Sequence, residues 1–328
     1  MNPGDLLYHL TEQVDAADKR IRPFARETPV EEAVAWSADW GCRVWLKLEN
    51  HQVTGSFKFR GALNRLLTLP VSQRAMGVVA ASTGNHGLAV AQAARGLNIP
   101  CTVYVPQGAS PAKLAAIESL GAELLTHGTD GVEAEIEARG VANESGRVYV
   151  SPYNDDQVVA GQGTVGAELT RQLDRTDVLV VAVGGGGLIS GVAGYLRATG
   201  REIAVIGASP EASAAMAASV RSGEIVNVPH RPTLSDGTAG GIESDAITFP
   251  LCRTLVDEWV LISEEEIAAT IRDGLDSARH LMEGAAAVAV AAARRVAPRF
   301  PKANMVVVVC GGNIGTAALR TVIGKGAT

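Results

Sequence analysis

Lys58 lies in the segment Thr54-Gly55-Ser56-Phe57-Lys58-Phe59-Arg60-Gly61-Ala62, which follows an apolar run and a short loop and opens a helical pattern. An amine at a helix start sits near the positive end of the backbone dipole, and partial desolvation there lowers its pKa. Both effects favour the neutral amine needed to form a Schiff base. Spacing alone equally allows, and more commonly means, an exposed lysine that caps nothing. A second segment, Ala182-Val183-Gly184-Gly185-Gly186-Gly187-Leu188, joins an apolar run to a helical one. Consecutive glycines let backbone amides converge without obstruction, and a helix N-terminus adds favourable potential, so the pattern suits a phosphate better than a mere tight turn.

Two further segments end apolar runs in polar residues. Ala81-Ser82-Thr83-Gly84-Asn85-His86-Gly87 offers hydroxyls, an amide and backbone donors suited to a carboxylate, although in isolation a capped turn with His86 packed locally is the plainer reading. In Val309-Cys310-Gly311-Gly312-Asn313 the cysteine reads first as a small core residue.

The elements that must position these segments alternate in type. Short β-branched runs at 44–48, 77–81, 101–105, 148–151, 178–183, 203–208 and 305–310 read as strands, separated by helical patterns. This alternation predicts an α/β fold of mostly parallel sheets covered by helices, with VLVVAV and MVVVVC as central strands. A helix is expected over 111–120, capped by Ser110 and stopped at Gly121, and another over 264–279, capped by Ser263. Periodicity alone gives two lobes and no border between them.

Composition removes several function classes. The formal charge of -6, with both signs mixed along the chain, disfavours nucleic acid and anionic membranes as partners. Cys42, Cys101, Cys252 and Cys310 lie far apart, which suggests neither a disulfide framework nor a cysteine zinc site. An amphipathic, charged beginning and the lack of a long uncharged apolar run predict a cytoplasmic protein without a targeting signal.

Taken in this order, the four segments resemble those of the pyridoxal-phosphate-dependent serine and threonine dehydratase family, which includes serine racemase and shares fold type II with tryptophan synthase β. The resemblance spans nearly the whole chain. It implies a two-domain enzyme, with 1–74 and 151–328 as the large cofactor-binding domain and 75–150 as the small substrate-binding domain. It also implies that Lys58 carries pyridoxal 5'-phosphate as a Schiff base and that Gly184, Gly185, Gly186, Gly187 and Leu188 hold its phosphate. Phe57 would pack under the ring, Asn85 would bond the cofactor's 3-oxygen, and Cys310 and Glu283 would lie at the pyridine-nitrogen end. Ser82, Thr83, Gly84, Asn85 and His86 would receive the substrate carboxylate.

Two positions depart from the family pattern. Ser209 stands where metal-dependent members carry a glutamate, so no metal is expected. Asp236-Gly237-Thr238-Ala239-Gly240-Gly241 is similar to the hydroxyectoine-utilisation subgroup.

The implied activity is β-elimination of water from L-threonine or L-serine, giving a 2-oxo acid and ammonia: a carbon–oxygen lyase of amino-acid catabolism. Lys58 would act as base, the cofactor phosphate as acid, and Cys310 would leave the ring nitrogen largely unprotonated. Hydroxyectoine or 3-hydroxyaspartate dehydration and racemisation assisted by Thr83 stay open. The only partners implied are the amino-acid substrate and a second copy in a homodimer, and no regulatory domain is expected after the helix at 316–324.

Overall fold

The computed structural model describes residues 3–324. In chain order its strands are β1 (Val30–Glu32), β2 (Arg43–Leu48), β3 (Val78–Ala81), β4 (Cys101–Val105), β5 (Glu123–Thr126), β6 (Val148–Tyr149), β7 (Val178–Ala182), β8 (Ala204–Pro210), β9 (Glu258–Ile262) and β10 (Asn304–Val309). They form two sheets, ordered β1-β2-β10-β7-β8-β9 and β5-β4-β3-β6. Every pairing is parallel except β1 with β2.

The apolar runs fall where two-sided burial demands them. All of β7 is buried, as is β10 from Met305 onward, with the helix Gly284–Val296 packed across β10, β7 and β8. On the small sheet the buried strands β3 and β4 are covered by the helix Asn85–Leu97. Strands β1, β5 and β9, which periodicity did not mark, all lie at sheet edges. There β5 is largely exposed and flanked by polar residues, whereas β9 carries the apolar run Trp259–Ile262 that was not read as a strand.

The helix Lys58–Thr68 begins at the lysine and turns Phe59, Leu63 and Leu66 into the core beneath the small sheet. Its other side meets the helix Asp156–Gln172 at a contact only glycine permits. A Cβ on Gly161 would come within 2.6 Å of the Gly61 Cα, so the two backbones touch and fix the height of Lys58.

The helix expected over 264–279 is α-helical from Glu264 to Asp273, continues as a single wider turn over Gly274–Ala278, and ends at Arg279 in the left-handed region (φ 59°). Ser263 and Glu266 cap its start reciprocally. Ser110 behaves differently: it precedes the helix Pro111–Glu118 but makes no side-chain cap, and only its carbonyl accepts, from the amides of Lys113 and Leu114.

Candidate active site

The chemistry-bearing segments converge at the carboxyl ends of parallel strands, where open α/β sheets place their ligands. Cys310 follows β10, the four glycines follow β7, and Ser82 to Asn85 follow β3. Lys58 is brought to the same point because the chain after β2 is pinned beside β10. The Phe57 amide donates to the Cys310 carbonyl at 3.0 Å, and Ser56 bridges Gly311.

One cleft is lined by Phe57, Lys58, Asn85, the four glycines, Leu188, Glu283 and Cys310. All ten residues expected from the sequence to touch a cofactor therefore face one space. The Lys58 ammonium donates to the Pro152 carbonyl at 2.9 Å and lies 5.2 Å from the Phe57 ring centroid. Among the described residues it has no carboxylate ion-pair partner. Burial pulls its pKa down to about 8, against the weaker opposing influence of Cys310 and Glu283.

Glu283 is buried and accepts from the Asn85 side-chain amide at 2.8 and 3.0 Å and from the Asn313 amide at 3.1 Å. Burial still pushes its carboxyl up to about 7, because those hydrogen bonds do not replace a countercharge. Burial likewise raises the Cys310 thiol well above its ordinary range, so it is a neutral group. The cleft thus holds a lysine, a glutamate and a cysteine, all biased toward their uncharged forms.

A cavity of about 530 Å³ adjoins the cleft and is lined by Lys58 together with Ser82, Thr83, Gly84, Asn85 and His86. Among the described residues the amides of Thr83, Asn85 and His86 have no acceptor, so the start of the helix Asn85–Leu97 presents free donors beside this cavity. His86 is more inward than its neighbours. Its Nε2 bonds the Val150 carbonyl at 2.7 Å, and burial, with the nearby Lys58 charge, lowers its pKa to about 3, so the ring is neutral.

The residues present fit a phosphate-bearing aldehyde. Among the described residues the amides of Gly184, Gly185, Gly186, Gly187 and Leu188 donate to no acceptor, and they lie at the start of the helix Gly187–Ala198. Gly186 adopts φ 84°, a turn that an L side chain would strain, and a Cβ there would meet the Cys252 sulfur at 2.6 Å. Five free amides and an amine without a countercharge, in one cleft, suit an anionic group carrying a carbonyl carbon.

Sequence reading did not find Pro152 and Tyr153, which wall the cleft between Lys58 and the glycines. Pro152 contributes only a carbonyl, and Tyr153 a ring against which a Cβ on Gly185 would fall at 2.3 Å. Nor did it find the ion pair of Lys113 with Asp236, 2.7 Å apart, although both side chains line the larger cavity.

Ser209 is buried and donates to the Val183 carbonyl at 2.9 Å, while Ser213 bonds His230. Among the described residues no helix is long and apolar enough to cross a membrane.

Residues 21–311 match the family described as pyridoxal-phosphate dependent enzyme. The chain is 40% identical to the L-threonine ammonia-lyase of Thermotoga maritima, over 96% of its own length and 78% of that protein's. Its fold superposes on the processed form of threonine deaminase isoform 2 from Solanum lycopersicum with a TM-score of 0.94 and 31% identity, covering 100% of this chain and 95% of that one. Maize serine racemase superposes with a TM-score of 0.89 and 30% identity, covering 96% and 97%.

Proposed function

This chain belongs to the pyridoxal-phosphate-dependent enzyme family and is a carbon–oxygen lyase of the ammonia-lyase type, and on that premise we propose that Lys58 holds the cofactor while L-threonine or L-serine loses water, and the product takes water up again to give a 2-oxo acid and ammonia. The observation that carries the assignment is the partly buried Lys58 amine, beside five glycine-loop amides, with no ion-pair partner for the one and no acceptor for the others among the described residues.

When bound, the cofactor supplies the electron sink for the Cα–H bond. The protein's own groups do the rest. The amides of Gly184 to Leu188 would hold the phosphate, and the Phe57 ring would pack against the cofactor. Free amides around Thr83 and Asn85, with the Ser82 and Thr83 hydroxyls, orient the substrate carboxylate.

Lys58 Nζ takes the Cα proton. With its pKa near 8, roughly a tenth of the free amine is neutral at pH 7, against about one part in three thousand for an ordinary lysine. Asn85, held by Glu283 and Asn313, presents a fixed side chain to the cofactor ring. The neutral Cys310 thiol would place no full charge beside a ring bound in the cleft.

The divided sequence, 1–74 with 151–328 and 75–150 between them, is read as cofactor and substrate domains. We further propose a homodimer acting in cytoplasmic amino-acid catabolism without a metal. The four free, buried cysteines suit a reducing compartment. Sedimentation of the purified protein tests the dimer, and unchanged activity in EDTA tests the lack of a metal.

The reaction is tested by measuring 2-oxo acid and ammonia from L-threonine and L-serine, with chiral analysis of the remaining substrate. The reading expects stoichiometric oxo acid and ammonia. Inversion without oxo acid would move the assignment to a racemase, a reading favoured by the Thr83 hydroxyl at the cavity wall.

A further inference from the structure

Resting on the reading of the larger cavity as the substrate site, we propose that the Lys113–Asp236 pair determines specificity there, excluding hydroxy amino acids that carry a second carboxylate. Four ionised or ionisable carboxylate and amine side chains line this cavity: Lys58, Lys113, Asp236 and Glu283. Lys58 and Glu283 also face the cofactor cleft, whereas Lys113 and Asp236 do not. The pair therefore belongs to the part of the cavity that a substrate side chain would enter.

Lys113 comes from the helix Pro111–Glu118, and Asp236 from the turn Asp236–Thr238 that follows the other sheet's β8. The other side chains that the helix Pro111–Glu118 offers, Ala112, Ala116 and Ile117, are apolar, as is the neighbouring Leu88, and suit a hydrogen or methyl on the β-carbon. An isolated Lys113 ammonium would recruit a distal carboxylate. Asp236 Oδ2 at 2.7 Å already satisfies that ammonium.

Asp236 cannot retreat with its backbone, because the Thr238 amide donates to the Ser235 carbonyl and the Ala239 amide to that of Asp236. A dicarboxylate must then displace the Asp236 side chain and lie beside its charge. Exposed ion pairs of this kind contribute little to stability, so the consequence falls on selectivity by repulsion.

The pair also reaches the cofactor cleft electrostatically: Asp236 raises and Lys113 lowers the Glu283 pKa. Variants of either residue will therefore alter turnover of every substrate, and the ratio between substrates is the diagnostic quantity.

The holoenzyme and its Asp236→Asn and Asp236→Asn/Lys113→Gln variants are assayed for kcat/KM on L-threonine and threo-3-hydroxyaspartate. Asp236→Asn is expected to raise the hydroxyaspartate-to-threonine ratio about tenfold or more, and adding Lys113→Gln to return it. An unchanged ratio in Asp236→Asn, or a wild-type preference for the dicarboxylate, overturns the proposal. Should the wild type turn over neither of these nor L-serine, the dehydratase reading fails on its own, and calorimetric titration of the same proteins with succinate and butyrate decides the pair. Tighter succinate binding in Asp236→Asn with butyrate unchanged upholds it, and equal succinate binding overturns it.

Discussion

Lys47 and Lys58 are both withdrawn from water, and burial lowers the pKa of each, yet their surroundings differ completely. Lys47, fully buried, donates to Glu168 at 2.6 Å, to the Gln172 side chain at 2.8 Å and to the Thr28 carbonyl at 2.8 Å. Around it Arg60 spans Glu49 and Glu168, all with no exposed side chain. Lys58, two residues before Arg60, has one carbonyl and open cavity.

The carboxylates follow the same division. Burial alone would raise Glu168, but Arg60 and Lys47 bring it down to about 2, whereas Glu283, without a cation, is pushed up to about 7. Burial does not by itself decide ionisation; the availability of a countercharge does. About half a turn of the helix Lys58–Thr68 therefore separates Arg60, in a saturated ionic anchor, from an amine left for chemistry.

The largest effect expected from breaking this contrast is on activity. Lys58→Met should lower 2-oxo acid release by more than about a thousandfold while leaving urea-induced unfolding within about 1 kcal/mol of wild type, since no ion pair is lost. Arg60→Met should do the reverse to stability, costing about 3–5 kcal/mol by leaving buried Glu49 without a cation, while Glu168 keeps Lys47. Lys47→Met should fall at the low end, about 3 kcal/mol, because Glu168 keeps Arg60 at 2.7 Å. Equal stability losses from Lys47→Met and Lys58→Met would erase the distinction.

A pH series sharpens the contrast further. Glu283 has a folded pKa above its unfolded value, so between about 4.5 and 7 the native state binds more protons and its contribution to stability falls as pH rises. Glu283→Gln removes this term. In the cofactor-free protein, wild type should lose ground to Glu283→Gln across that window, by up to about 3 kcal/mol, with a flat difference above pH 7. Glu168 runs oppositely: its stabilisation is full above about 4.5 and is lost as pH falls toward 2. Denaturant unfolding at several pH values checks both signs.

How much of this was legible in sequence depended on where each signal resides. Strand β4 coincides with its expected span of 101–105, and β10 is shifted by one residue from 305–310, because buried parallel strands are continuous apolar runs. Edge strands β1 and β5 were not marked because polar residues break their short apolar stretches, while β9 was passed over although Trp259–Ile262 is a continuous apolar run.

In the site, the four glycines stood out on local pattern, whereas spacing alone favoured an exposed Lys58 and a merely capped Ser82–Asn85 turn, and their roles came from the family resemblance. Pro152 acts through a backbone carbonyl, which has no side-chain signature. Lys113 and Asp236 meet across 123 positions of chain, so their pairing exists only in the fold. The anchor around Arg60 was invisible for the same reason, joining Thr28, Glu49 and Glu168 from three distant segments.

The central claim is that Lys58, a buried amine without a carboxylate partner among the described residues, is the one that takes a carbonyl. It is tested by reconstituting the protein with pyridoxal phosphate, reducing with borohydride and mapping the modified peptide by mass spectrometry. The account predicts one stoichiometric modification at Lys58, absent from Lys58→Met. Stoichiometric modification of Lys113 or Lys47 instead, or no modification of a folded protein, would contradict it.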